Sequence, residues 1–345
     1  MSGNDHVDVA VVGATGLVGR ELLRVLEARR FPVGRLLAFN SGRRPAAVKF
    51  RGRSIAAQPV SLASLARARL VFMVSSDAVS KRWGRALAAR GVWVIDDSAA
   101  FRLDPDVPLV IPEVNAGALG PGNRLIAGPN CTLTGAAVAG WPLIRRAGAA
   151  AVRLASYQAV SGAGREALEE FRGQVRAAAP ALRGGDALAP PPRTRASALP
   201  RPIAFNVFPQ VGSFNGDGES SEEVKVRREL RKLWSLPKLP VSVTAVRVPV
   251  VRGHGLAFWL ETRRRLSPSA ALRLLRGAPG VELWKEGNYP TPLGVGGSWP
   301  VHVARIRPGA SARELALWIV SDNLLKGAAL NSAQIAEVLL AKGWL

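Results

Sequence analysis

Cysteine is almost absent from this chain: Cys131 is the only one among 345 residues. A single thiol excludes an internal disulfide and argues against a cysteine-rich metal site. Histidine is nearly as scarce, with only His6, His254 and His302. No close group of further ligands accompanies His254, so no metal is expected. No stretch of about 18 or more purely apolar residues occurs, which argues against a membrane span. The short polar lead, Ser2 to Asp5, passes into a strand-like run without a basic, apolar, cleavable pattern, and a cytoplasmic location is expected. Acidic residues are few, 25 against 47 basic ones, giving a formal charge of +22. Such a balance fits nucleic-acid binding, but the arginines are dispersed, no nucleic-acid motif occurs and aromatic residues make up only 6%. The expectation is no specific nucleic-acid partner, nonspecific adhesion to polyanions at low salt, and a field that attracts anionic metabolites.

Alternation of strand and helix patterns is what the chain does have. Val7 to Val12 is a continuous apolar run, as in a parallel strand buried on both faces. Arg20 to Arg30 has helical spacing, with Leu22, Leu23, Val25 and Leu26 as its apolar positions. Further strands are expected at Leu36–Phe39, Leu70–Val74 and Val92–Ile95, with a helix at Val79–Arg90 between the last two. This order implies a doubly wound α/β sheet. A second region begins near Cys131. It offers a strand at Val152–Tyr157, a helix from Arg165 to about Ala178, and a Pro-, Ala- and Arg-rich excursion from Ala179 to Pro202. Val241–Val251 and Leu256–Arg263 are expected to pair across a turn, Leu315–Val320 is a further strand, and a long helix from about Asp322 to Ala341 closes the chain. The expected division is a first domain of residues 1–130 and 322–345, with the last helix packing back, and a second of residues 131–321.

Three features carry chemistry. Cys131 lies in Gly128-Pro129-Asn130-Cys131-Thr132, just before an apolar helical run, Leu133 to Ile144. A thiol at a helix N-terminus is favoured as the reactive thiolate; a buried structural cysteine is the other reading of this residue alone. Gly13-Ala14-Thr15-Gly16-Leu17-Val18-Gly19 separates a buried strand from a helix. Glycine lets backbone approach a phosphate whose charge the helix end stabilises, although a tight turn without ligand has the same pattern. After the second strand, Asn40-Ser41-Gly42-Arg43-Arg44 offers two guanidiniums where NAD enzymes usually place a carboxylate. That favours NADP over NAD, with a solvated basic loop as the alternative. His254 sits in the turn Arg252-Gly253-His254-Gly255, where a histidine can exchange protons near neutral pH or have no role. His302, in an alternating Val-His-Val run, reads as structural. A thiolate beside a nicotinamide cofactor suggests acyl chemistry joined to hydride transfer.

These features occur together with other stretches in order: Phe101-Arg102-Leu103-Asp104-Pro105, Ile111-Pro112-Glu113-Val114-Asn115, Tyr157-Gln158-Ala159-Val160-Ser161-Gly162-Ala163-Gly164, Pro202-Ile203-Ala204-Phe205-Asn206, Glu222-Glu223-Val224-Lys225, Arg247-Val248-Pro249-Val250 and Val320-Ser321-Asp322-Asn323-Leu324-Leu325-Lys326-Gly327. Over nearly its full length the chain resembles the aspartate-semialdehyde dehydrogenase family. The resemblance implies a Rossmann-like dinucleotide-binding domain and an α+β substrate and dimerisation domain with a mixed or antiparallel sheet. It implies NADPH-dependent reductive dephosphorylation of L-aspartyl 4-phosphate to aspartate semialdehyde, a step toward lysine, threonine, methionine and diaminopimelate. Cys131 matches the family's nucleophile, His254 its acid/base and Gln158 the glutamine that orients the thiol. Arg102 and Lys225 match the phosphate-binding pair, Arg247 the carboxylate-binding arginine and Glu222 the residue for the amine, with Asn130 beside the cysteine. Gly13, Thr15, Gly16, Leu17, Val18, Ser161, Gly162 and Asn323 match cofactor-contacting positions, to which the charge argument adds Arg43 and Arg44. A homodimer or homotetramer is implied. A related acyl-phosphate reductase of the N-acetylglutamyl-phosphate type has a different cysteine motif, and a catalytically silent nucleotide-binding paralogue tends to lack the cysteine or glutamine. The chain departs from the family at Val74-Ser75-Ser76-Asp77, where a glycine-rich turn is usual, at Asp97, where asparagine is common, and at Gly297-Ser298-Trp299-Pro300.

Overall fold

A computed structural model describes residues 6–42, 45–179 and 197–345. The chain divides into two compact units, the first formed by Met1–Thr134, Glu229–Leu236 and Leu324–Leu345, the second by Gly135–Arg228 and Pro237–Asn323.

In the first unit the strands are β1 (Val7–Val12), β2 (Val33–Asn40), β3 (Ala47–Phe50), β4 (Arg53–Ala56), β5 (Gln58–Pro59), β6 (Leu70–Met73), β7 (Trp93–Asp96) and β8 (Leu125–Ala127). All but β3 and β4 form one parallel sheet in the order β5-β2-β1-β6-β7-β8. Every residue of β6 and β7 is buried, as strands covered on both faces require. The helix Leu17–Ala28 starts three residues earlier than its apolar spacing suggests and buries Leu22, Leu23, Val25 and Leu26. Helix Asp77–Ala88 lies between β6 and β7 in the chain. The chain end joins the same core. A π-helical turn, Leu325–Ala329, runs into the helix Leu330–Ala341, and Leu330, Ala333, Ile335 and Leu339 pack with Leu22 and Val25. Asp322 and Asn323, expected inside this last helix, precede it. Trp344 stacks on Trp93 at 6.2 Å between ring centroids.

The second unit carries β9 (Ala149–Gln158), β10 (Val241–Arg247), β11 (His254–Thr262), β12 (Val281–Leu283), β13 (Val301–Pro308) and β14 (Glu314–Ser321). They form one mixed sheet in the order β10-β9-β11-β14-β13-β12. The expected pairing of Val241–Val251 with Leu256–Arg263 is overturned: β9 lies between them, parallel to β10 and antiparallel to β11. The connection from Arg247 to His254 is therefore no hairpin turn but a loop that carries the chain past the end of β9. Two strands with similar apolar patterns carry no sign of a third inserted between them, because strand order is set by non-local pairing. Helix Arg165–Ala178 has the bounds its sequence predicts. Most of the Ala179–Pro202 excursion falls on residues 180–196, which lie outside the described residues.

Candidate active site

In the first unit, Cys131 is the first residue of the helix Cys131–Ala147 and is half-buried. Asn130 caps that helix, its Oδ1 accepting the Thr132 N–H at 2.7 Å. The first helical turn carries no acidic residue, so nothing there opposes the dipole that favours a thiolate. Gly327 explains how backbone comes so near the sulfur-bearing residue: a Cβ there would lie 2.6 Å from the Cys131 Cβ. Its neighbour Lys326 is buried and bonded to Glu113 and Gln334, both at 2.6 Å, which anchors the π-helical turn.

Arg102 is buried in a turn after β7. Its Nε donates to the Gly128 carbonyl at 2.9 Å, Nη2 to the Asp97 carbonyl at 2.6 Å, and Nη1 to Glu229 Oε1 at 3.3 Å. Burial works against its charge, but Glu229, Cys131 and Asp97 outweigh that and hold the guanidinium above its ordinary range. The guanidinium retains N–H groups for an anion, since it has five and these bonds use three. Asp97 itself is pushed up to about 6, chiefly by burial. Its Oδ1 accepts from Ser332, while its buried Oδ2 finds no hydrogen-bond partner among the described residues.

The nucleotide-binding motif forms a turn between β1 and the first helix. Gly13 has φ +83°, and a Cβ on it would fall 2.3 Å from the Val74 carbonyl oxygen, so only glycine fits. Gly16 caps the helix, Leu17 and Val18 begin it, and Thr15 lies in the turn; the first helical turn has no acidic residue. A cleft of about 650 Å³ opens beside this turn, lined by Gly13, Asn40, Ser41, Ser75, Ser76 and Arg82 among others. Its place at the carboxyl ends of parallel strands, beside a helix N-terminus free of carboxylates, suits a dinucleotide phosphate. Arg43 and Arg44 lie outside the described residues.

In the second unit, insertion of β9 between β10 and β11 gathers the remaining groups. Arg247 pairs in register with Gln158, and Gly255 with Tyr157, so Arg247, Gln158 and His254 share one end of the sheet. All three are buried. Ala159 links two of them: its N–H donates to His254 Nδ1 at 3.0 Å and its carbonyl accepts from Arg247 Nη1 at 2.7 Å. With Nδ1 an acceptor, the neutral imidazole carries its proton on Nε2. Burial, aided by Arg247, lowers His254 to about 3, so the ring is neutral near pH 7. A Cβ on Gly162 would stand 3.2 Å from Arg247 Nη1 and 3.4 Å from the His254 ring. Gln158 Nε2 donates to Ser156 at 3.1 Å and to Glu222 at 3.5 Å. Asn323 takes the Gly253 N–H at 2.8 Å and donates to Ser161 Oγ at 3.0 Å, which fixes the residue before His254. Asp322 holds Arg252 of the same loop. Lys225 lies one helical turn beyond Glu222 on helix Ser221–Leu233 and is half-buried. His302 is structural, bonded to Trp284 Nε1 at 3.0 Å and Ser298 at 2.8 Å.

Sequence reasoning missed Ala159, whose contribution is backbone and leaves no mark on residue type. It also missed Glu229, which reads as part of the charged run Arg227-Arg228-Glu229-Leu230-Arg231-Lys232. A signal was there: Glu222, Val226, Glu229, Leu230 and Leu233 share one helix face, and all are buried. Among the described residues no group of three or more potential metal ligands occurs, and no helix is long and apolar enough to cross a membrane.

Comparison with known proteins gives a family match in two parts. Residues 8–120 match the family model for the semialdehyde dehydrogenase NAD binding domain, and residues 141–326 that for the semialdehyde dehydrogenase dimerisation domain. An aspartate-semialdehyde dehydrogenase of Shewanella violacea is 39% identical over 98% of both chains, and one of Streptomyces akiyoshiensis is 41% identical over 97% of this chain and 98% of its own. Among solved structures, aspartate semialdehyde dehydrogenase II of Vibrio cholerae, known also complexed with ASA, superposes with a TM-score of 0.89 at 34% identity, covering 97% of this chain.

Proposed function

The chain belongs to the semialdehyde dehydrogenase family, and from that premise we propose that it is an NADP-dependent aspartate-semialdehyde dehydrogenase, converting L-aspartyl 4-phosphate to aspartate 4-semialdehyde with release of phosphate. The observation that carries this reading is Cys131 opening its helix next to Asn130, whose N–H is tied by Glu229 to the buried fork of Arg102. A nucleophile held beside a fixed cation is what an acyl phosphate requires: the sulfur attacks the acyl carbon while the cation takes up charge on the departing phosphate.

Each group has a role its chemistry suits. The Cys131 thiolate attacks the acyl carbon, the C–O bond to phosphate breaks, and a thioester remains on sulfur. NADPH, bound at the glycine turn and at Ser161, Gly162 and Asn323, supplies the hydride. His254 Nε2–H donates a hydrogen bond to the oxyanion of the tetrahedral adduct that hydride addition leaves, and collapse of that oxyanion breaks the C–S bond, regenerating thiolate and aldehyde. Gln158 orients the thiol. Arg102 and Lys225 bind the phosphate, Arg247 the substrate carboxylate as a planar fork, and Glu222 the ammonium. Arg43 and Arg44 take the cofactor's 2′-phosphate. The protein works as a homodimer or homotetramer in the cytoplasm; the match to a dimerisation domain supports the assembly.

The test is the reverse reaction, followed by absorbance of the reduced cofactor. Aspartate semialdehyde with NADP and phosphate should give sustained reduction; NAD or N-acetylglutamate semialdehyde should give little. No reduction with the first set, or preference for the second aldehyde, would refute the reading.

A further inference from the structure

Glu229 grips both the proposed anion site and the cysteine loop. Its Oε1 accepts from Arg102 Nη1 at 3.3 Å and its Oε2 accepts the Asn130 N–H at 2.8 Å. Its side chain is 1% exposed, and that of Arg102 is 10% exposed. One turn further along the same helix, Lys232 Nζ donates to the main-chain carbonyls of Arg102, Asp104 and Val107 at 2.9, 2.7 and 2.7 Å. The segment Glu229–Leu236 therefore holds Arg102 twice, by its side chain and by its backbone, and holds the residue next to Cys131 as well.

We propose that Glu229 is a positioning residue that locks the Arg102 fork and the Cys131 loop into one frame, setting where the phosphate sits relative to the sulfur. This rests on the roles given above to Arg102 and Cys131. Both carboxylate oxygens face N–H donors, so only a carboxylate satisfies them together. Glutamine offers one acceptor and turns an N–H₂ toward the other donor, freeing either the guanidinium or the backbone before the sulfur. A guanidinium with one anchor lost still attracts phosphate, but no longer at a fixed distance from the thiol, and small misplacements at a reacting centre are costly. Glu229 also offsets part of the Arg102 charge, which keeps the fork from holding released phosphate too tightly.

The experiment compares wild type, Glu229→Gln and Glu229→Asp in the phosphate-dependent oxidation of aspartate semialdehyde, reading kcat, KM for phosphate, KM for NADP and thermal unfolding. Glu229→Gln should lower kcat about 10- to 100-fold and change KM for phosphate at least several-fold, with KM for NADP unmoved. Glu229→Asp keeps the charge but is one carbon too short to span both donors. It should change KM for phosphate in the same sense by less and recover part of kcat. If Glu229→Gln does not fold, the aspartate variant decides alone by the same split between phosphate and NADP. A folded variant with kcat and KM for phosphate as in wild type overturns the proposal. So does a loss that falls equally on phosphate and NADP in step with unfolding temperature, since that is a purely structural role. Wild type lacking phosphate-dependent activity would instead refute the functional reading.

Discussion

Asp97 shows how one buried carboxylate can cost stability. Its folded-state carboxyl sits at about 6 against an ordinary 3.8, with burial the largest cause. The folded chain therefore holds this proton more tightly than the unfolded one. The contribution of this group to stability is greatest below about pH 4 and is lost as pH rises through 6. The Oδ2 with no partner among the described residues is the physical source of the penalty. Asp97→Asn removes the ionisation and can keep the bond to Ser332. It should raise stability at pH 8 by about 1–3 kcal/mol and leave it little changed at pH 4. Denaturant unfolding at the two pH values is the check; an equal effect at both would show that ionisation of Asp97 is not what costs stability. The carboxylate was visible in the sequence as a departure from the family. Its environment was not, because burial and the Ser332 contact join positions 235 apart in the chain.

At the scale of elements, the site depends on where helices start and strands end. The Gly13–Gly19 turn, the helix opening at Cys131 and the strand ending at Gln158 were all legible, since glycine spacing, capping residues and apolar periodicity are local signals. The π-helical turn at Leu325–Ala329 was not, for its sequence reads as the start of an ordinary helix. That turn matters because it passes against Cys131. A methyl group on Gly327 would meet the Cys131 Cβ at 2.6 Å, and both atoms are tied to backbone, so neither can swing aside. Gly327→Ala should reduce kcat at least about 10-fold and destabilise the fold by about 1–3 kcal/mol, the usual cost of overpacking. Steady-state rates and thermal unfolding test this; a variant matching wild type in both would mean the turn shifts freely. The order β10-β9-β11 was the main error in the sequence reading. It is also what places Gln158, Arg247 and His254 at one sheet end, a proximity that their separate motifs did not reveal.

For the whole molecule, the two-part α/β architecture could be read from alternation of patterns, and the chemistry from a handful of residue types. Their partners came only with the fold. Glu229, the Ala159 backbone and the loop grip of Asn323 act on groups far away in sequence. The account's central claim is that the acyl group is carried on the sulfur of Cys131, and it can be tested by withholding phosphate. Enzyme mixed with aspartate semialdehyde and NADP alone should reduce about one cofactor per chain and stop, leaving an aspartyl group that peptide mass spectrometry finds on Cys131. Added phosphate should release the acyl group and restart turnover, and Cys131→Ser should show neither burst nor adduct. Full phosphate-dependent turnover by the serine variant, or an acyl group found on another residue, would contradict the account.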